Sequence, residues 1–161
     1  MANPFNFSSG DVLTAAELNS IGDWQSFTPT WNDLTIGNAT NVGYYAEVNE
    51  IVYVTTKMVW GSTTSATDYF EMVVPVRAAT DTQYQLGGNT ILYNVGTALA
   101  IGTVNVFDSS GQSYAAPYGS YYSSGVGAYI YGGNLNATSP FTWTTGDILY
   151  MNFWYRGVTI S

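Results

Sequence analysis

From Ser26 to the end of the chain, apolar and polar side chains exchange places almost residue by residue, and clusters of Gly, Asn, Asp and Ser interrupt them at spacings near ten residues. Period-two alternation between turn-forming residues is the signature of β-strands lying across a core surface. The stretch 51–60 shows it most clearly. Val52, Val54, Thr56, Met58 and Trp60 alternate with Ile51, Tyr53, Thr55, Lys57 and Val59. Both sets contain apolar groups, which suits a sheet covered on one side by its own core and contacting a partner on the other.

The same reading places strands at 43–48, 69–76, 84–86, 90–94, 97–107, 114–122, 126–131, 141–143 and 147–155. Residues 24–31 are extended, with Pro29 favouring an edge or a strand end. Asn49-Glu50 reads as a two-residue turn, 61–68 as a polar loop, and Asp108-Ser109-Ser110-Gly111 as a turn. Gly87-Gly88-Asn89 and Gly132-Gly133-Asn134 read as turns as well. Short strands so spaced predict an all-β fold, a jelly-roll-like antiparallel β-sandwich occupying residues 25–161.

The first 24 residues differ. Residues 1–9 have no periodicity and read as an arm, in which Phe5 and Phe7 call for packing against something, such as a neighbouring subunit. A short helix follows. Thr14 is its N-cap, Glu17 completes a capping box, and Leu13 and Leu18 occupy the positions of a hydrophobic staple. Gly22 is its stop. At about eight residues such a helix is marginal alone and has to dock. The chain therefore divides into an arm and attachment helix (1–24) and a head (25–161).

Composition narrows the chemistry. The 161 residues carry Asp plus Glu 11 against Lys plus Arg 3, a formal net charge of −8. Nucleic-acid phosphates and anionic membranes both demand clustered cations, so neither is an expected partner. Cysteine and histidine are absent, which removes disulfides, the commonest general base, the middle member of a serine triad and the usual zinc ligands. No basic, hydrophobic leader opens the sequence and no run approaches 18 apolar residues, so neither signal peptide nor membrane span is predicted.

Acidic pairs are the remaining catalytic candidates. Glu47 and Glu50 flank a turn, and Asp68 and Glu71 lie near a strand start, but nothing in the spacing makes either pair converge on one bond as glycoside hydrolysis requires. The turn at 108–111 offers one carboxylate, too few for calcium. No catalytic, metal or cofactor residue is assigned. Three Asn-x-Ser/Thr triplets, at Asn6, Asn38 and Asn136, are what chance provides in a chain rich in Asn and Thr.

The aromatics point elsewhere. Tyr 14, Phe 7 and Trp 5 stand among many Ser, Thr, Asn and Gly residues. The stretch 114–131 holds six tyrosines, a composition shared with binding surfaces in which rigid amphipathic rings supply contact area. Tyr114, Tyr118, Tyr121 and Tyr122 are its candidate contact residues.

The run Gly10-Asp-Val-Leu-Thr-Ala-Ala-Glu-Leu-Asn19, then Trp24-Gln-Ser-Phe-Thr-Pro-Thr-Trp31 and Thr35-Ile-Gly-Asn-Ala-Thr40, resembles a module that recurs in tailed-bacteriophage virion proteins. Gly43-Tyr-Tyr-Ala-Glu-Val48 and Trp60-Gly-Ser-Thr-Thr-Ser65 extend the likeness over about residues 10–76. The resemblance implies a compact β-sandwich, usually trimeric, on tail fibres, tail proteins or capsid decorations, and brings no catalytic residues. Unlike long fibre proteins, this chain has no shaft, no collagen-like repeat and no heptads. It therefore points to a non-enzymatic structural protein, a capsid decoration (cement-type) or short head-fibre protein, assembled in the host cytoplasm into the virion. The expected partners are its own copies and another virion protein, with Phe5, Phe7, Leu13, Leu18, Ile21 and Trp24 making the attachment. The alternative is a tail-fibre or tail-tip head that recognises a host surface glycan through the tyrosine-rich segment.

Overall fold

The computed structural model describes residues 12, 14, 15, 21–48, 50–79, 85–96, 98–109, 111–123 and 129–158, and for 85, 86, 98, 120–123 and 129–132 the backbone alone. Among the described residues there are ten strands: β1 (Gln25–Phe27), β2 (Thr30–Thr35), β3 (Thr40–Val48), β4 (Ile51–Val59), β5 (Ser65–Val73), β6 (Gln85–Asn94), β7 (Ala98–Ser109), β8 (Gln112–Ser123), β9 (Tyr129–Asn134) and β10 (Ile148–Arg156). All pair antiparallel in one sheet of order β1-β3-β4-β10-β6-β7-β8-β5-β2, with β9 on β8.

That order forces curvature. β1 and β2 stand at opposite ends of the path, yet only Thr28 and Pro29 separate them. A flat sheet would hold these ends about 38 Å apart at a strand spacing of ~4.8 Å. A two-residue link reaches about 10 Å. The sheet therefore curls until its ends meet, and side chains join them there. The Trp31 indole donates to Asn41 Oδ1 at 3.2 Å, and Asn41 Nδ2 donates to the Pro29 carbonyl at 2.6 Å. The result is all-β, a curled antiparallel sheet of the sandwich, jelly-roll-like kind.

The core fills the concave side. Val52, Val54 and Met58 of β4, Leu149, Met151, Phe153 and Tyr155 of β10, Leu92 of β6 and Val104 and Val106 of β7 face Phe70 and Met72 of β5. Indole rings close one end, with Trp60 stacked on Trp143 at 5.0 Å and Phe70 edge-on to Trp143 at 6.1 Å. Asp147 is fully buried and ties three segments together. Its carboxylate accepts from the Val95 amide at 2.9 Å, the Thr144 amide at 2.6 Å and the Thr144 hydroxyl at 3.1 Å.

Several expectations change. Gly87-Gly88-Asn89 is no turn: β6 runs straight through it, with a bulge between Leu86 and Gly88. A Cβ at Gly88 would strike the Asn152 carbonyl oxygen, so glycine is present for close approach to β10. Gly132-Gly133-Asn134 likewise lies within β9. Residues 141–143 form no strand, and Trp143 reaches the core from a loop, its indole donating to the Asn136 carbonyl at 3.0 Å. β5 begins at Ser65, inside the stretch read as a polar loop. The short helix lies mostly outside the described residues. Of its flanks, Thr14 and Ala15 are exposed, and Gly22 adopts φ 72°, the left-handed conformation that a helix stop uses.

Candidate functional site

Strand parity decides what the sheet shows to its surroundings. On β3, β4, β10, β6 and β7 the positions opposite the core align across the sheet in rows. One row runs Val42–Lys57–Tyr150–Ile91–Ile101, and its neighbour runs Thr40–Val59–Ile148–Tyr93–Leu99. These two rows are aliphatic and aromatic throughout, apart from Thr40 and Lys57. Leu99 is 62% exposed and Ile101 58% exposed. Lys57 lies over the Tyr150 ring, 5.5 Å from its centroid.

On the other side of the Lys57 row the face changes character. The row Tyr44–Thr55–Asn152–Asn89–Thr103 is polar and uncharged apart from one tyrosine ring, and in the row Ala46–Tyr53–Trp154 beyond it two exposed rings stand beside a buried alanine. The Thr55 hydroxyl donates to Asn152 Oδ1 at 2.7 Å. Trp24, immediately before β1, joins Tyr53 and Trp154 in lining a cleft of about 280 Å³. Arg156, the next outward-facing residue on β10, is held by Glu50 at 2.7 Å.

Among the residues expected to attach the chain, Phe5, Phe7, Leu13 and Leu18 lie outside the described residues. Ile21 and Trp24 are exposed, Trp24 at 57%. The tyrosine-rich segment forms β8 and β9. Tyr114 is half-buried, its ring 5.6 Å from Phe107 and its hydroxyl donating to Gln112 Oε1 at 3.2 Å. Tyr118 is half-buried four residues further along. Tyr121 and Tyr122 pair by backbone register with Tyr131 and Ile130, and their side chains are outside the described set. The structure therefore brings Tyr114 and Tyr118 onto one strand, with Tyr114 already engaged by its neighbours.

The two expected acidic pairs, Glu47 with Glu50 and Asp68 with Glu71, are each drawn to other partners or to solvent. Glu50 is bound to Arg156, Glu47 is exposed, and Asp68 accepts from the adjacent Tyr69 amide at 2.8 Å. Burial first, and the nearby Asp33 charge second, raise the Glu71 carboxyl above its ordinary range. Asp108 is lowered instead, chiefly by its hydrogen bond from Arg77 and next by that from Ser113. Ser113 accepts in turn from the Ala78 amide at 2.9 Å, so this ion pair braces the turn after β7 against the segment after β5. Among the described residues no three acids gather as metal ligands would.

Sequence reasoning missed Tyr53, Asn152 and Trp154. A signal was present: β10 reads Ile-Leu-Tyr-Met-Asn-Phe-Trp-Tyr, apolar in both phases of the alternation, as β4 is. Strands apolar on both faces have a second face to cover. Comparison of the chain with protein-family models, with curated proteins and with solved structures finds no match in any of the three.

Proposed function

We propose that this chain is a non-enzymatic structural protein of a bacteriophage particle, a capsid decoration or short head-fibre protein. Its leading segment attaches to another virion protein, and its head associates with further copies of itself as a homotrimer. One observation carries this reading: the aliphatic rows holding Val42, Ile101, Tyr93 and Leu99 form a continuous apolar surface outside the core. Isolated soluble domains seldom leave such a surface to water, whereas subunits of an assembly cover it. Burial of each large side chain there would contribute about 1.5–3 kcal/mol. The scattered carboxylates, and the likeness of residues 10–76 to a virion module, point the same way.

The test is a deletion of residues 1–22. The shortened protein is expected to stay soluble and folded, to keep its self-association, and to be missing from particles assembled in its presence. Incorporation at the level of the full chain would overturn the attachment role. A single-chain mass for the full protein in light scattering would overturn the homotrimer.

A further inference from the structure

We infer that the cleft lined by Trp24, Tyr53 and Trp154 binds a neutral saccharide. It lies on the polar-aromatic half of the outer face, away from the aliphatic rows, and the inference holds whether or not those rows join copies of the chain.

Three features of the cleft specify its ligand. The first is its aromatic surface. Trp24, Trp154 and Tyr53 are 57%, 50% and 44% exposed, and none of them makes a ring contact or side-chain hydrogen bond to any described residue. In the core, rings pack on one another, as in the Trp60–Trp143 stack, and the other exposed rings, Tyr44, Tyr69 and Tyr93, do not line this cleft. Here three rings with two indole N–H groups and a phenol are left unengaged around one cavity of about 280 Å³.

The second feature is polarity without charge. Thr55 and Asn152 line the same cleft, and because Asn152 Oδ1 is engaged by the Thr55 hydroxyl, the amide is oriented with its two N–H donors unused. No ionised side chain lines the cleft: Lys57 and Arg156, each two positions from a lining residue on β4 and β10, are taken up by the Tyr150 ring and by Glu50, and the exposed Asp23 precedes Trp24 on the flank. A lining of aromatic rings, an amide and hydroxyls suits a ligand with apolar C–H faces and many hydroxyls, and gives an anionic ligand no counter-charge.

The third is the backbone. Gly87 lines the cleft at the β6 bulge, and the bulge leaves it without an opposite residue on β7. A Cβ there would run into the Trp154 carbonyl, so glycine holds β6 close beside the Trp154 strand. Bulges recur where a strand is re-aimed at a binding site.

The experiment titrates the purified full-length protein with neutral oligosaccharides: α-1,4-linked and β-1,4-linked glucose hexamers, β-1,4-linked N-acetylglucosamine hexamer and a mannose hexamer. Tryptophan fluorescence is the readout, and a polyuronate of equal length serves as the charged control. At least one neutral hexamer is expected to give a saturable change with a Kd of about 1 mM or tighter. Trp154→Ala and Tyr53→Ala should each weaken it about tenfold or more, at unchanged thermal stability and unchanged oligomeric mass. Trp154→Phe should retain part of the affinity. Absence of saturable binding by all four hexamers would overturn the inference, as would equal or tighter binding of the polyuronate. So would unaltered affinity in Trp154→Ala, or a fall in oligomeric mass in that variant, which would make the cleft a subunit contact.

Discussion

Tyr155 offers the sharpest test of how the curled sheet is held shut. Its ring is wholly buried near the end of β10. Its hydroxyl donates to the Val76 carbonyl at 2.6 Å and accepts from the Val76 amide at 3.2 Å, fastening β10 to the segment after β5. Tyr155→Phe keeps the ring and removes only that oxygen, leaving two main-chain groups without a partner. A buried group so orphaned costs about 1–3 kcal/mol. Val76 is half-buried, so water recovers part of the loss, and a net destabilisation of about 2 kcal/mol is expected. For a domain of this size that lowers Tm by about 4–8 °C. A second signature lies at alkaline pH. Burial raises the Tyr155 phenol far above its ordinary value of 10.0, while the Val76 hydrogen bond opposes the rise. The unfolded chain releases this proton near that ordinary value and the folded chain does not. The contribution is therefore complete below about pH 10 and declines as pH rises further, by up to about 1.4 kcal/mol per pH unit. A thermal melt at pH 7, with urea unfolding followed by tryptophan fluorescence at pH 7 and from pH 9 to 11, reads both effects. Tyr155→Phe should be weaker at pH 7 and decline less steeply above pH 10. A Tm unchanged within about 1 °C, or alkaline slopes identical in the two proteins, would refute the reasoning.

Other outcomes follow from the same geometry. Asp147→Ala removes the acceptor for three hydrogen bonds in a fully buried site and should lower stability by about 3 kcal/mol in denaturant titration. Leu99→Asp, at the most exposed aliphatic position of the outer face, should leave the circular dichroism spectrum intact while light scattering shows the oligomer dissociating toward single chains. The depressed Asp108 carboxyl contributes stability above its ordinary value of 3.8, and that contribution disappears as pH falls through the still lower folded-state value. Arg77→Ala should therefore narrow the difference in urea midpoint between neutral and strongly acid pH, and added salt should narrow it further, as expected of an exposed pair.

Local turn chemistry was readable from residue types alone. Asn49-Glu50 sits between Val48 and Ile51, which pair directly, and Asp108 to Gly111 joins strands whose last pair is Ser109–Gln112, with Gly111 at φ 85°. Glycine misled the reading elsewhere, because one letter serves two purposes. Gly111 supplies a left-handed turn, while Gly88 in mid-strand makes room for a neighbouring backbone. Trp143 misled in another way, since strand propensity largely reports burial, and a loop can deliver a buried tryptophan as well as a strand can. The outer face was half legible. The mixed pattern of 51–60 already indicated a strand with business on both sides, but its partners in each row belong to residues from a hairpin turn away to about 100 positions away. Only the register joins Tyr53 to Trp154, and Thr55 to Asn152 and Asn89. The tyrosine-rich segment drew notice by composition, whereas the cleft is built from short pieces of three separate strands, β4, β6 and β10, and the flank of β1.

The central claim is that this head lives in an assembly with its outer sheet face turned toward other subunits. Cryo-electron microscopy of intact particles carrying the protein measures this directly. The account predicts heads in groups of three, with Val42, Ile101 and Leu99 against neighbouring copies and residues 1–22 leading into the particle. Purified particles without the chain, or heads bound singly with those side chains facing solvent, would contradict it.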